Sequence, residues 1–162
     1  MGNGVFAMKR WTAKLAGALA ALCVVCALPV LGFASPETLP ASYGGNCSWL
    51  LDVKNPEGPA TSTSNSVCVI SAVGVEGTTV TLYSYNAATS LYEKIYADGV
   101  PLEAVIGASG LYAQQITLHD GMNKIMVTGT NGANEEVIRL DINVLGAGFL
   151  DKIKSFTVNF GF

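Results

Sequence analysis

The sequence predicts an all-β fold: an antiparallel β-sandwich of about seven strands behind an N-terminal export segment. Three observations predict it. Short apolar runs with a period of two recur between residues 49 and 145. The dipeptides Asp98-Gly99, Asp120-Gly121 and Asn131-Gly132 separate several of these runs and carry the chemistry of hairpin turns. No window before Gly146 sustains the 3.6-residue apolar period of a helix.

The N-terminal segment comes first. The chain has 162 residues, 50% apolar and only 13% charged. Its mean hydropathy of +0.40 is high for a soluble protein. One stretch sets that average: Leu15–Phe33, 19 residues without a charge. A single stretch of membrane length excludes a multi-span channel or transporter. Lys9, Arg10 and Lys14 give it a positive flank, Pro29 interrupts it late, and Gly32-Phe33-Ala34 sets small residues at a peptidase site. This order predicts a signal peptide over residues 1–34, cut after Ala34, and hence a secreted or cell-surface protein. The rival expectation is an uncleaved anchor, in which case the membrane is met only through this segment. Position 6 is Phe6, so the myristoylation pattern fails, and neither Cys23 nor Cys26 has a lipoprotein-type context.

Beyond Ala34 the chain carries six basic and twelve acidic residues, a net charge of −6 over 128 residues. That is one domain, able to bury roughly two thirds of its unfolded surface. The acidic balance and the lack of a basic patch exclude nucleic acid as a partner. The 18 glycines follow no three-residue period, which excludes collagen. Cys47 and Cys68 form an even pair in an oxidising compartment and predict a disulfide. Its loop of about 20 residues would contribute on the order of 3 kcal/mol.

Residues 35–46 (SPETLPASYGGN) are rich in Pro, Ser and Gly and read as a flexible leader. The sandwich is expected over 47–145. Trp49–Val53 is its first run, followed by the polar connection 55–66. Val67–Val73 is dense in β-branched residues. Thr78–Tyr85 alternates, with Val80 and Leu82 on one side and Thr79, Thr81, Tyr83 and Tyr85 on the other. Leu91–Tyr96 and the weaker Val100–Ile106 flank Asp98-Gly99. Leu111–Leu118 sets Tyr112, Ile116 and Leu118 on one face. Lys124–Thr130 points Ile125 and Val127 inward, and Glu135–Leu145 aligns Ile138, Leu140, Ile142 and Val144. Residues 146–162 are a glycine hinge and a Phe-rich tail. As a helix, the tail aligns Phe149, Ile153, Phe156 and Phe160; as a strand it alternates Phe156, Val158, Phe160 and Phe162. It reads either as a segment packing back on the sandwich or as a docking tail.

The series Gly110, Tyr112, Ile116, Leu118, Gly121, Asn123, Ile125 and Val127, with the run VCVISAVGVEGTTVTLYSY before it, resembles the bacterial Ig-like domains of secreted and surface proteins. The resemblance covers roughly residues 48–145 and is built from core and turn positions. It implies an Ig-like sandwich. It departs from antibody domains because both cysteines fall near the first two strands.

Catalytic signatures are thin. His119 is the one histidine and sits beside a turn, where a solvated role is ordinary. No Gly-x-Ser-x-Gly elbow accompanies it. The twelve acids are scattered, mostly singly, which is neither a glycosidase pair nor a calcium loop. No metal or cofactor is expected. Tyr83, Tyr85, Tyr92 and Tyr96 lie on two neighbouring segments and could form an aromatic binding face. The expectation is a binding or structural accessory module without catalytic activity, its partner a protein or a cell-envelope glycan. The alternatives are an accessory fragment of a secreted carbohydrate-active enzyme and a membrane-tethered envelope protein.

Overall fold

The computed structural model describes residues 35–146, 148, 149 and 151, all within the unit Ser35–Phe162. The signal-peptide reading of residues 1–34 lies outside the described residues. Twelve strands occur among them: β1 (Thr38–Pro40), β2 (Leu51–Asn55), β3 (Ala60–Thr63), β4 (Val67–Gly74), β5 (Thr79–Asn86), β6 (Leu91–Lys94), β7 (Tyr96–Ala97), β8 (Val100–Pro101), β9 (Glu103–Val105), β10 (Leu111–Thr117), β11 (Gly121–Asn131) and β12 (Asn134–Val144).

They form the expected sandwich. The larger sheet runs β1-β6-β5-β11-β12-β3, and β9 shares with β6 the edge of β5 opposite β11. The smaller sheet runs β10-β4-β2. All pairings in these sheets are antiparallel except β12 with β3. The chain passes repeatedly between the sheets: β2, β4 and β10 each leave the larger sheet, and the chain returns to it at β3, β5 and β11.

The period-two runs became the strands for a simple reason. Alternation lets one side chain in two leave water while the backbone groups pair across the ladder. Ile70 and Ala72 from β4, Val80 and Leu82 from β5, and Tyr112 and Ile116 from β10 meet Ile125 and Val127 of β11 and Leu140, Ile142 and Val144 of β12 in one core between the sheets. At the Asp98-Gly99 turn both residues have positive φ, 52° and 78°, the conformation that this dipeptide favours in a two-residue hairpin. Asn123 fastens the turn after β10. Its side chain accepts from the His119 N–H at 2.9 Å and donates to the carbonyls of His119 at 2.7 Å and Gly121 at 3.0 Å.

Three expectations need correction. Residues 35–46 are not a free leader. They contribute β1, which pairs with β6 in the register Leu39↔Tyr92, and then cross to β12. The polar connection holds β3, whose Ala60–Thr63 runs beside Asp141–Val144. Third, Cys47 and Cys68 are free thiols. Cys68 is the second residue of β4, opposite Ile116, whereas the other end of that strand, Gly74, pairs with Leu51. Six residues of strand span about 20 Å. Cys47 lies past that far end, its N–H donating to the Glu135 carbonyl at 3.1 Å. A disulfide needs Cα atoms within about 7 Å. Burial raises the pKa of the Cys68 thiol and keeps it protonated.

Candidate functional site

Each sheet has an inner face in the core and an outer face. The two outer faces are built differently.

On the larger sheet, Tyr83, Tyr85, Tyr92, Lys94 and Met126 point outward from β5, β6 and β11. They do not meet water as the sequence reading supposed. Residues 35–46 lie over them, and Leu39, Tyr83, Tyr92 and Met126 form a second buried cluster flanked by Tyr43, Tyr85 and Val137. Tyr83 is fully buried, and its hydroxyl donates to the Pro36 carbonyl at 2.9 Å. Burial pushes its phenol well above the usual range, as it does for Tyr92. Tyr85 packs edge-on against Tyr92 at 5.3 Å between ring centroids, and Lys124 lies 5.5 Å from the Tyr85 ring. Of the four tyrosines only Tyr96 stays exposed, so they do not make one open aromatic face.

The covering segment is fixed at both ends. At its start, the Ser35 hydroxyl bonds Thr81 Oγ1 at 2.8 Å, and Lys94 Nζ donates to the Ser35 carbonyl at 2.5 Å. The Tyr96 hydroxyl donates to Glu37 at 2.5 Å and, with Lys94, lowers the pKa of that carboxyl. Towards its end, Arg139 donates to the carbonyls of Ala41 and Tyr43. The Tyr43 hydroxyl donates to both Glu135 oxygens, at 2.7 and 2.8 Å, which pushes its pKa up to about 12. At Gly45 the two backbones nearly touch: a Cβ there would stand 2.5 Å from the Glu135 carbonyl oxygen. Only glycine permits that approach.

The smaller sheet has no such cover among the described residues. Its central strand β4 turns Cys68, Ile70 and Ala72 toward the core and Val67, Val69 and Val73 outward. The three valines are 46%, 43% and 43% exposed, and Leu111, opposite Val73 on β10, is 65% exposed. The Asp52–Lys54 ion pair, 2.5 Å long and well exposed, borders this face from β2. Ser71 interrupts the row between Val69 and Val73, and Gln115 and Thr117 of β10 lie beside it, so the face is mixed, with an apolar end at Val73 and Leu111. Sequence reasoning passed over it, although Val67–Val73 carries apolar residues at both odd and even positions. That is the signal of a strand that is apolar on both faces.

A third feature is an open cleft of about 810 Å³ whose walls include Tyr85, Glu93, Tyr96, Asp98, His119 and Lys124. His119 is an exposed wall residue there. Among the described residues, no group of three or more His, Cys, Asp or Glu side chains could hold a metal ion. No helix among them is long and apolar enough to cross a membrane. Phe149 is half exposed; Ile153, Phe156 and Phe160 of the tail lie outside the described residues. No family model matches the chain, and no curated protein matches it.

Proposed function

We propose that the chain is an exported module of the bacterial Ig-like kind, displayed in the medium or at the cell surface, which acts by binding and scaffolding rather than by catalysis. The exposed apolar side chains on the uncovered face of β10-β4-β2 carry this reading. A sandwich gains nothing in solubility from Val67, Val69, Val73 and Leu111 at its surface, whereas a protein partner laid across them removes them from water. The signal-like order of residues 1–34 supports export.

Mass spectrometry of the exported protein tests the first half: the expected N-terminus is Ser35, and retention of residues 1–34 would favour the tethered alternative. Crosslinking from a photoreactive residue at position 69 in producing cells tests the second half. The expected products pass through the valine face and vanish with Val73→Lys. A glycan reading is favoured by one observation, the cleft beside Tyr96, and predicts binding lost with Tyr96→Ala and indifferent to Val73→Lys. Turnover of a polysaccharide substrate that vanishes on mutating a carboxylate pair would overturn the non-catalytic reading.

A further inference from the structure

Lys94 is the least expected charge in the molecule. Its side chain is 97% shielded, yet it stands on the outer face of the larger sheet, under residues 35–37. Its Nζ lies 3.4 Å from Glu37 Oε1, 3.7 Å from Glu103 Oε2 and 2.5 Å from the Ser35 carbonyl. Glu103 also accepts from Thr81 Oγ1 at 3.2 Å, and that hydroxyl is in turn the partner of Ser35 Oγ at 2.8 Å. Tyr83 and Tyr96 complete the cluster, the first bonded to the Pro36 carbonyl and the second to Glu37.

Two carboxylates therefore share one ammonium, and the cluster carries one unmatched negative charge. Thr81 and Lys94 both reach Ser35, the first through its side chain and the second through its carbonyl. The backbone nitrogen of Ser35 is joined to the same α-carbon as these two held groups. While Ala34 is attached, that nitrogen is a neutral amide. After a cut it is an ammonium.

We propose that Thr81 and Glu103 form a receiving site for the α-ammonium of Ser35, with Glu103 as its counter-charge and Lys94 holding the Ser35 carbonyl in place. The inference rests on the reading that the chain is cut after Ala34. Processing then does more than release the domain. It supplies the second cation that the two carboxylates lack and adds a further hold on residues 35–46. Lys94 is the buried member of the network, Glu103 is partly shielded and Glu37 is exposed, so the counter-charge that acts on the amine is the shielded Glu103. Hydrolysis of the Ala34–Ser35 peptide bond consumes one water, leaving a carboxylate on Ala34 and the ammonium on Ser35.

The test uses three purified chains that share residues 35–162: one with a free Ser35 amine, one acetylated on that amine, and one still preceded by Gly32-Phe33-Ala34. Melting temperature is read for each at pH 6, in the native sequence and with Glu103→Gln. The free-amine chain is expected to melt highest, by about 2–5 °C. The advantage should disappear with Glu103→Gln. The amine itself, followed by ¹⁵N NMR, should titrate above its ordinary value of about 8. Equal melting of the three chains overturns the proposal, as does an advantage that survives Glu103→Gln unchanged. Because these chains have defined ends, the result does not depend on export; the N-terminus of the exported protein tests the cut separately.

Discussion

The two outer faces of this sandwich begin from similar material. Each presents large side chains on its central strands: Tyr83, Tyr85 and Met126 on one, Val67, Val69 and Val73 on the other. Tyr83 and Met126 are buried and Tyr85 is partly buried, whereas the second set is half exposed. The difference lies in the chain beyond the strands. Twelve residues before the sandwich lie down over the tyrosines, and no described segment lies over the valines. Covering a face needs sites that hold the cover in place. Arg139, Glu135 and Lys94 supply them on the larger sheet, through carbonyls, a phenol and a carboxylate. The valine face has only the Asp52–Lys54 pair at its margin, and that pair is satisfied by itself.

Substitutions can break this contrast or sharpen it. Tyr83→Ala should have the largest effect. It empties a fully enclosed site and orphans the Pro36 carbonyl, and a loss of about 3–5 kcal/mol is expected in urea unfolding. Leu39→Ala should cost about 2–3 kcal/mol, less than a central core site because β1 lies at an edge. A loss as large as that for Tyr83 would mean that the cover and the sheet unfold as one unit.

The third prediction concerns pH. The Tyr43 phenol titrates near 10 when unfolded and at about 12 when bonded to Glu135. Its contribution is complete below pH 10 and is lost as pH rises through 10 to 12. Tyr43→Phe should lower stability at neutral pH and flatten the alkaline decline in that window. An unchanged slope would show that the bond does not hold the cover. On the other face, Val69→Thr and Val73→Thr should change stability by no more than about 0.5 kcal/mol while reducing self-association and partner capture. Tyr112→Phe should be smaller still, neutral or slightly stabilising. It removes a buried hydroxyl without a partner from the core and leaves the ring in place.

Much of the fold was legible because strands in a sandwich advertise themselves by alternation. Val80 and Leu82, Ile125 and Val127, and Leu140 to Val144 sit where the pattern places them. The Asn123 turn was legible because its hydrogen bonds are local. What escaped depends on distant partners. Ala60–Thr63 is polar and becomes a strand only because β12 lies beside it. Residues 35–46 have the composition of a linker, and their order comes from Tyr83, Met126 and Arg139, far along the chain. Tyr83 was rightly read as pointing away from the main core, but a side chain that points away from one core can enter another. The two cysteines give a parity and no distance, and the register of β4 sets that distance beyond any bridge.

One strand of three residues has a wider consequence. β1 occupies the open edge of β6, and its last residue, Pro40, has no N–H to offer onward. A sheet ends safely only where its outermost hydrogen-bonding groups are few or blocked. The segment before the sandwich is therefore a stopper as well as a lid. A chain shortened to Cys47 would leave the β6 ladder open, a seam along which copies of the protein could zip together into growing ribbons.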